Sequence, residues 1–117
     1  MKVIIAGSRD GVWPELVSTA VLRSNFNITE VVSGTARGVD QWGEAWAKEH
    51  NRDLMLFPAE WEVHGKSAGF KRNAEMAEYA DALIAVWNGT SNGTKHMITT
   101  MQKLGKPVYI YNVKDAT

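Results

Sequence analysis

Short runs of branched and apolar residues recur along the chain, separated by longer stretches in which apolar residues return every three or four positions. Residues 3–6, 28–33, 54–57, 82–87 and 108–111 are the short runs. Uninterrupted apolar runs suit strands buried on both faces, and their alternation with helical stretches predicts an α/β fold built on a parallel sheet of about five strands. Pro14 opens the first helix, in which Leu16, Val17, Ala20 and Val21 form one stripe. A second helix is predicted over 39–50, with Val39, Trp42 and Trp46 turned toward the sheet at i, i+3 and i+7. Pro58 stops the third strand, and 59–69 reads as a long loop before a third helix that ends near Tyr79. Met97, Ile98, Met101 and Leu104 share one face of the fourth helix, Gly105 caps it, and Pro107 leads into the last strand, leaving 112–117 as a loose tail.

At 117 residues the chain is the size of one domain, 1–117, with 44% hydrophobic and 22% charged residues, which excludes a disordered or fibrous chain. Lys plus Arg and Asp plus Glu are 13 each, so formal charge cancels and bulk electrostatics speak against a dedicated duplex-DNA or membrane-surface binder. Cysteine is absent, which removes disulfides, thiolate metal sites and thiol nucleophiles. No apolar run approaches the roughly 20 residues that span a bilayer, and the expected address is the cytoplasm.

Ligands of an open parallel sheet bind beyond the carboxyl ends of its strands, where strand order reverses. Three glycine-bearing loops are predicted at that edge: Gly7-Ser8-Arg9-Asp10, Ser33-Gly34-Thr35-Ala36-Arg37-Gly38-Val39-Asp40, and Asn88-Gly89-Thr90-Ser91-Asn92-Gly93-Thr94. In the third, Gly89 and Gly93 permit close backbone approach, and Thr90, Ser91 and Thr94 add hydroxyls at a helix N-terminus, which together suit an anion cradle as well as a plain turn and cap. Neither G-x-x-x-x-G-K-[ST] nor a G-x-G-x-x-G after the first strand occurs, which argues against a P-loop nucleotidase and an ordinary NAD dehydrogenase. Arg9, Arg37, Arg72 and Lys95 fall at or near the same edge, and guanidinium forks match phosphate oxygens. Asp40 and Glu44 lie one helical turn apart, placed to accept from ribose hydroxyls or to activate water; Asp40 equally suits the helix dipole, and Glu44 a pair with Lys48. His50, His64 and His96 have no metal-ligand spacing, so no metal is expected; no cofactor is expected either. Trp61 suits stacking on a base or plugging its loop, and Trp87 a pocket wall or a buried strand end.

The first two loops, Lys71-Arg72-Asn73 and Ser91-Asn92-Gly93-Thr94 together resemble the SLOG superfamily, which joins DNA-processing protein A and the LOG cytokinin-activating enzymes. The similarity is greatest to the small stand-alone YspA/YpsA-related members of bacteria and phages and extends over nearly the whole chain. It implies a three-layer Rossmann-like domain with sheet order 3-2-1-4-5, helices on both faces, and a nucleotide site made by these loops. Ser33, Gly34, Ala36, Gly38 and Asp40 match the Ser-Gly-x-Ala-x-Gly-x-Asp segment of DNA-processing protein A, and Arg72 and Asn73 its Arg-Asn pair. LOG enzymes cleave a nucleoside monophosphate to base and ribose 5-phosphate, using a Pro-Gly-Gly-x-Gly-Thr-x-x-Glu loop whose glutamate is catalytic. Here Gly93 and Thr94 match, the prolyl-diglycine lead is missing, and Met97 stands at the glutamate position. A thioether moves no protons, so Glu44, Asp40 or Asp10 would have to stand in.

The leading expectation is a module that binds a nucleotide or ADP-ribose-like ligand, as a sensor or to sequester it, with the 88–94 turn on phosphate, arginine balancing its charge and Asp40 on a ribose hydroxyl. N-glycosidic hydrolysis through Glu44 or Asp40 is the alternative, and single-strand nucleic-acid binding a third that a chain without net positive charge does little to support. The partner expected is a nucleotide-type small molecule, with no membrane, and a homo-oligomer is compatible with related folds.

Overall fold

The computed structural model describes residues 1–113. Strands β1 (Lys2–Gly7), β2 (Glu30–Ser33), β3 (Asp53–Leu56), β4 (Ala82–Trp87) and β5 (Val108–Asn112) form one parallel sheet in the order β3-β2-β1-β4-β5. Helices α1 (Pro14–Ser24) and α2 (Val39–Glu49) pack on one face. A short α3 (Trp61–His64) then leads to α4 (Ala68–Tyr79), which packs with α5 (Asn92–Lys103) on the other. The resulting three-layer arrangement is the Rossmann-like one expected.

Alternation along the central strands divides the core in two. Val3 and Ile5 meet Leu16, Val17 and Ala20 of α1 and Val39, Trp46 and Ala47 of α2. Ile4 and Ala6 meet Met76 and Ala77 of α4 and Met97, Ile98 and Met101 of α5. Because β1 lies between β2 and β4, the chain leaves it toward one side of the sheet first and returns to the other later, so the loops after β1 and β4 part and leave a crevice at their carboxyl ends.

Several expectations are corrected. Trp42 does not face the sheet: the buried arc of α2 runs through Val39, Gly43, Trp46 and Ala47, and Trp42 is left on its flank, 37% exposed. Gly43 sets that arc, because its Cα packs so closely on Ile5 that a Cβ there would stand 2.9 Å from the isoleucine side chain. Residues 59–69 are not an open loop. The Glu60 carbonyl accepts from both the Val63 and His64 amides to start α3, a 3₁₀ turn covers Gly65–Ser67, and α4 begins at Ala68. Leu104 is exposed because it lies past the last helical residue, in the turn that Gly105 closes with φ 71°. That turn is a Schellman cap, with Gly105 N–H to the Gln102 carbonyl and Lys106 N–H to the Met101 carbonyl. Asn112 belongs to β5 and Val113 packs against the core, so the predicted tail starts no earlier than 114; residues 114–117 lie outside the described residues. Among the described residues no helix is long and apolar enough to cross a membrane.

Among the glycines, the tightest packing is at the end of β1. A Cβ on Gly7 would stand 2.0 Å from the Val86 carbonyl oxygen and 2.9 Å from a Val39 methyl group. Replacing Gly7 by Ala must push apart two paired central strands, at a cost of about 3 kcal/mol. A lowered urea midpoint with an unchanged m value is the expected result; a variant as stable as the wild type would show that this seam opens without penalty.

Candidate functional site

Ser8 joins all three predicted loops. Its N–H donates to the Val86 carbonyl at 3.0 Å, its Oγ accepts from the Asn88 N–H at 3.0 Å, and its carbonyl accepts from the Val39 N–H at 3.2 Å. The loops therefore leave the sheet together, held by a residue only 1% exposed. Beyond it, Asn88 Oδ1 accepts from the Thr90 N–H and hydroxyl and from the Ser91 N–H, and the Trp87 indole donates to the Ser91 carbonyl at 3.1 Å. Asn88 and Trp87 thus shape the turn from behind.

The segment 33–40 folds around Asp40. Ser33 Oγ accepts from the Thr35 N–H and donates to Glu44 Oε2 at 2.7 Å, while Asp40 Oδ2 accepts from the Ala36 N–H at 3.1 Å. Thr35 is held at φ 65°, a conformation that costs a β-branched residue on the order of 1–3 kcal/mol and is retained where the surroundings fix it. Gly38, at φ 81°, passes so close beneath Ser8 and Arg9 that a Cβ would stand 2.5 Å from the Ser8 carbonyl oxygen. Gly34 makes room for Arg72, whose Nη1 donates to the Gly34 carbonyl.

Arg72 and Asn73, from α4, close the site from the opposite layer. Arg72 Nε donates to Asn73 Oδ1 at 3.1 Å, and Asn73 Nδ2 donates to the Gly93 carbonyl at 3.1 Å and lies 3.2 Å from His96 Nδ1. An amide nitrogen only donates, so that ring nitrogen accepts and the neutral ring carries its proton on Nε2. Burial, with Lys103 adding to it, holds the His96 pKa below the ordinary histidine value.

A cleft of about 50 Å³ opens where these parts meet, walled by Gly7, Arg9, Ala36 and Asp40 on one side and by Arg72, Asn73, Ser91, Gly93 and Thr94 on the other, with Ala6, Met76 and Met97 as its apolar floor. The N-terminus of α5 faces it without a side-chain cap, and among the described residues the Gly93 and Thr94 amides have no acceptor. A second cleft of about 340 Å³ adjoins the first across Arg9, Ala36 and Arg72 and is lined further by Gly34, Thr35, Arg37, Pro58, Ala59 and Trp61.

Electrostatically the site sets a buried acid against two cations. Burial drives the Asp40 carboxyl up to about 6, opposed by the Ala36 hydrogen bond and by Arg72 and Arg9, and reinforced by Glu44. Burial lowers the Arg72 pKa, with Asp40 acting the other way. Arg37 is exposed and paired with Asp10 at 3.0 Å, which holds the Asp10 carboxyl below its usual range.

Of the predicted site residues, Gly7, Arg9, Asp40, Arg72, Asn73, Ser91, Gly93 and Thr94 come together on the first cleft, and Gly34 and Arg37 on the second. Ser8, Ser33, Gly38 and Glu44 lie behind these walls and bind other parts of the protein. Asn88, Gly89, Thr90 and Lys95 line neither cleft. Ala6, Met76 and His96 were not singled out as site residues: Ala6 belongs to the first apolar strand run, Met76 carries no polar atom to mark it, and His96, which meets Asn73, is marked only by its place three residues after Gly93 on α5, while Ala36 was read only as part of the loop after β2.

A family model described as the YspA, cpYpsA-related SLOG family matches residues 1–64. The Gene 61 protein of Mycobacterium phage D29 is 38% identical over 124 aligned residues, which cover 97% of this chain and 98% of that protein. The family match contains the first two loops and Trp61, and the phage relative extends over the Arg72 and Gly93 wall as well. No solved structure matches.

Asp40 gives the fold a pH signature. Its carboxyl is harder to ionise folded than unfolded, so its contribution to stability is full below about pH 4 and falls as pH rises toward 6, by about 3 kcal/mol in all. Asp40→Asn has nothing to ionise and keeps an oxygen for the Ala36 amide. Urea unfolding should show the variant gaining on the wild type between pH 4 and pH 7; a constant difference would mean that Asp40 ionises in the fold as it does in water.

Proposed function

The chain belongs to the YspA, cpYpsA-related SLOG family, and from that premise we propose that it binds a nucleotide or nucleotide-derived ligand, such as an ADP-ribose-like molecule, in the cleft between β1 and β4. The observation that carries the reading is the meeting of open α5 amides with the Arg9 and Arg72 guanidiniums. Phosphate oxygens take hydrogen bonds from such amides and forks, and the helix dipole favours the negative charge. Asp40, at the edge of the same cleft, is the acceptor for a ribose hydroxyl. Arg9 is exposed and donates no hydrogen bond among the described residues, which leaves its guanidinium for the ligand.

The second reading, N-glycosidic hydrolysis, is favoured by one feature: a carboxyl titrating near pH 6 at a ligand cleft suits an acid that protonates a leaving base. Against it, Met97 occupies the place of the LOG-type glutamate and is fully buried in the cleft floor, and Glu44 is turned to Ser33. Binding is therefore the stronger proposal.

Titration of the purified chain with AMP and ADP-ribose is the test. Arg9→Ala should weaken binding about tenfold or more by removing a charge-assisted hydrogen bond, with no change in unfolding midpoint. Unaltered affinity would remove Arg9 from the site, and absence of binding by either compound would sink the proposal. Incubation with the same compounds, followed by chromatography for free base, separates the two readings: release that disappears in Asp40→Asn establishes the hydrolase, and intact ligand establishes the binding module.

A further inference from the structure

The second cleft is larger than the first and differs in chemistry. Its far side is Pro58, Ala59 and Trp61, while the side it shares with the first is Arg9 and Arg72. A path from the Trp61 ring to the α5 amides therefore runs from aromatic, through cationic, to hydrogen-bond donors. Trp61 is 52% exposed and belongs to neither core cluster, so its indole does not hold the two layers together. The tip of its ring and the Arg72 guanidinium both come within 4 Å of where a Cβ on Gly69 would stand, so the indole lies near the cationic wall over a residue without a side chain.

We propose that the ligand bears a planar base which stacks on Trp61 in the second cleft, with its sugar across Arg9 and Arg72 and its phosphate in the first. This rests on the nucleotide reading and narrows it: the substrate class is a complete nucleotide, and a base-free sugar phosphate fills only the inner half of the site. An exposed indole above a cleft offers a face to any base, and stacking of this kind is strong enough to discriminate ligands with a base from those without.

Calorimetric titration of the full chain with AMP and with ribose 5-phosphate tests it. The wild type should bind AMP at least about tenfold more tightly than ribose 5-phosphate, and Trp61→Ala should remove about tenfold of AMP affinity while leaving ribose 5-phosphate within about twofold. Trp61→Phe, which keeps an aromatic face, should retain most of the AMP affinity. Equal affinities for the two ligands in the wild type, or AMP affinity indifferent to Trp61→Ala, would overturn the base subsite and leave the phosphate cleft standing. Loss of both affinities together with a lowered unfolding midpoint in Trp61→Ala would identify the indole as a structural plug, which also overturns it. Binding of neither ligand to the wild type would overturn the nucleotide reading with it.

Discussion

Everything at the carboxyl edge of this sheet depends on one buried serine. Ser8 spends its amide on β4, its hydroxyl on the turn that follows β4, and its carbonyl on the first residue of α2. Each bond is ordinary in strength, but the three act on segments roughly 30 to 80 positions apart in the chain, so together they fix the relative placement of loops that no local propensity could align. The close β1–β4 seam at Gly7 serves the same end, since it brings the Asn88 amide within reach of Ser8.

This explains which parts of the molecule were legible in the sequence. The sheet was, because Val3 to Ala6 and Ala82 to Val86 are apolar on both faces, and such runs have few folds open to them. The 33–40 segment was legible as a unit because each of its fixed residues answers a local requirement: Gly34 and Gly38 give space, Ala36 supplies an amide, and Asp40 receives it. Trp42 was misplaced because helical periodicity identifies an apolar arc without its centre, and the centre was set by a glycine, Gly43, which carries no hydropathy signal. Likewise the 59–69 segment has no buried stripe before Ala68, so its helical turns leave no apolar period to read.

The site itself was only partly legible, for a different reason. Glycine and hydroxyl content predicts where backbone can approach a ligand, but not which hydroxyls are already committed. Ser33 and Ser8 are both used internally, whereas Thr94, whose Oγ only meets Ser91, lines the cleft. Net charge was equally blind. Equal numbers of acids and bases over the chain coexist with three arginines around two adjoining clefts: Asp10, which lines neither cleft, pairs with Arg37 at the second, while Asp40 resists ionisation inside the first.

The two layers of helices meet in this site through a relay that needs no ligand to form. Gly34, from the loop after β2, accepts from Arg72 of α4, Arg72 donates to Asn73, and Asn73 donates to Gly93 at the start of α5. Arg72 is thereby oriented by the protein itself, and the Gly93 carbonyl is held by the Asn73 amide. A guanidinium fixed in advance loses less rotational freedom on binding than one recruited from solvent, so in the proposed binding mode more of each Arg72 hydrogen bond to a phosphate would survive as affinity. Arg9 lies outside the relay: it is exposed and donates no hydrogen bond among the described residues, so the two cations differ in how far the fold orients them beforehand.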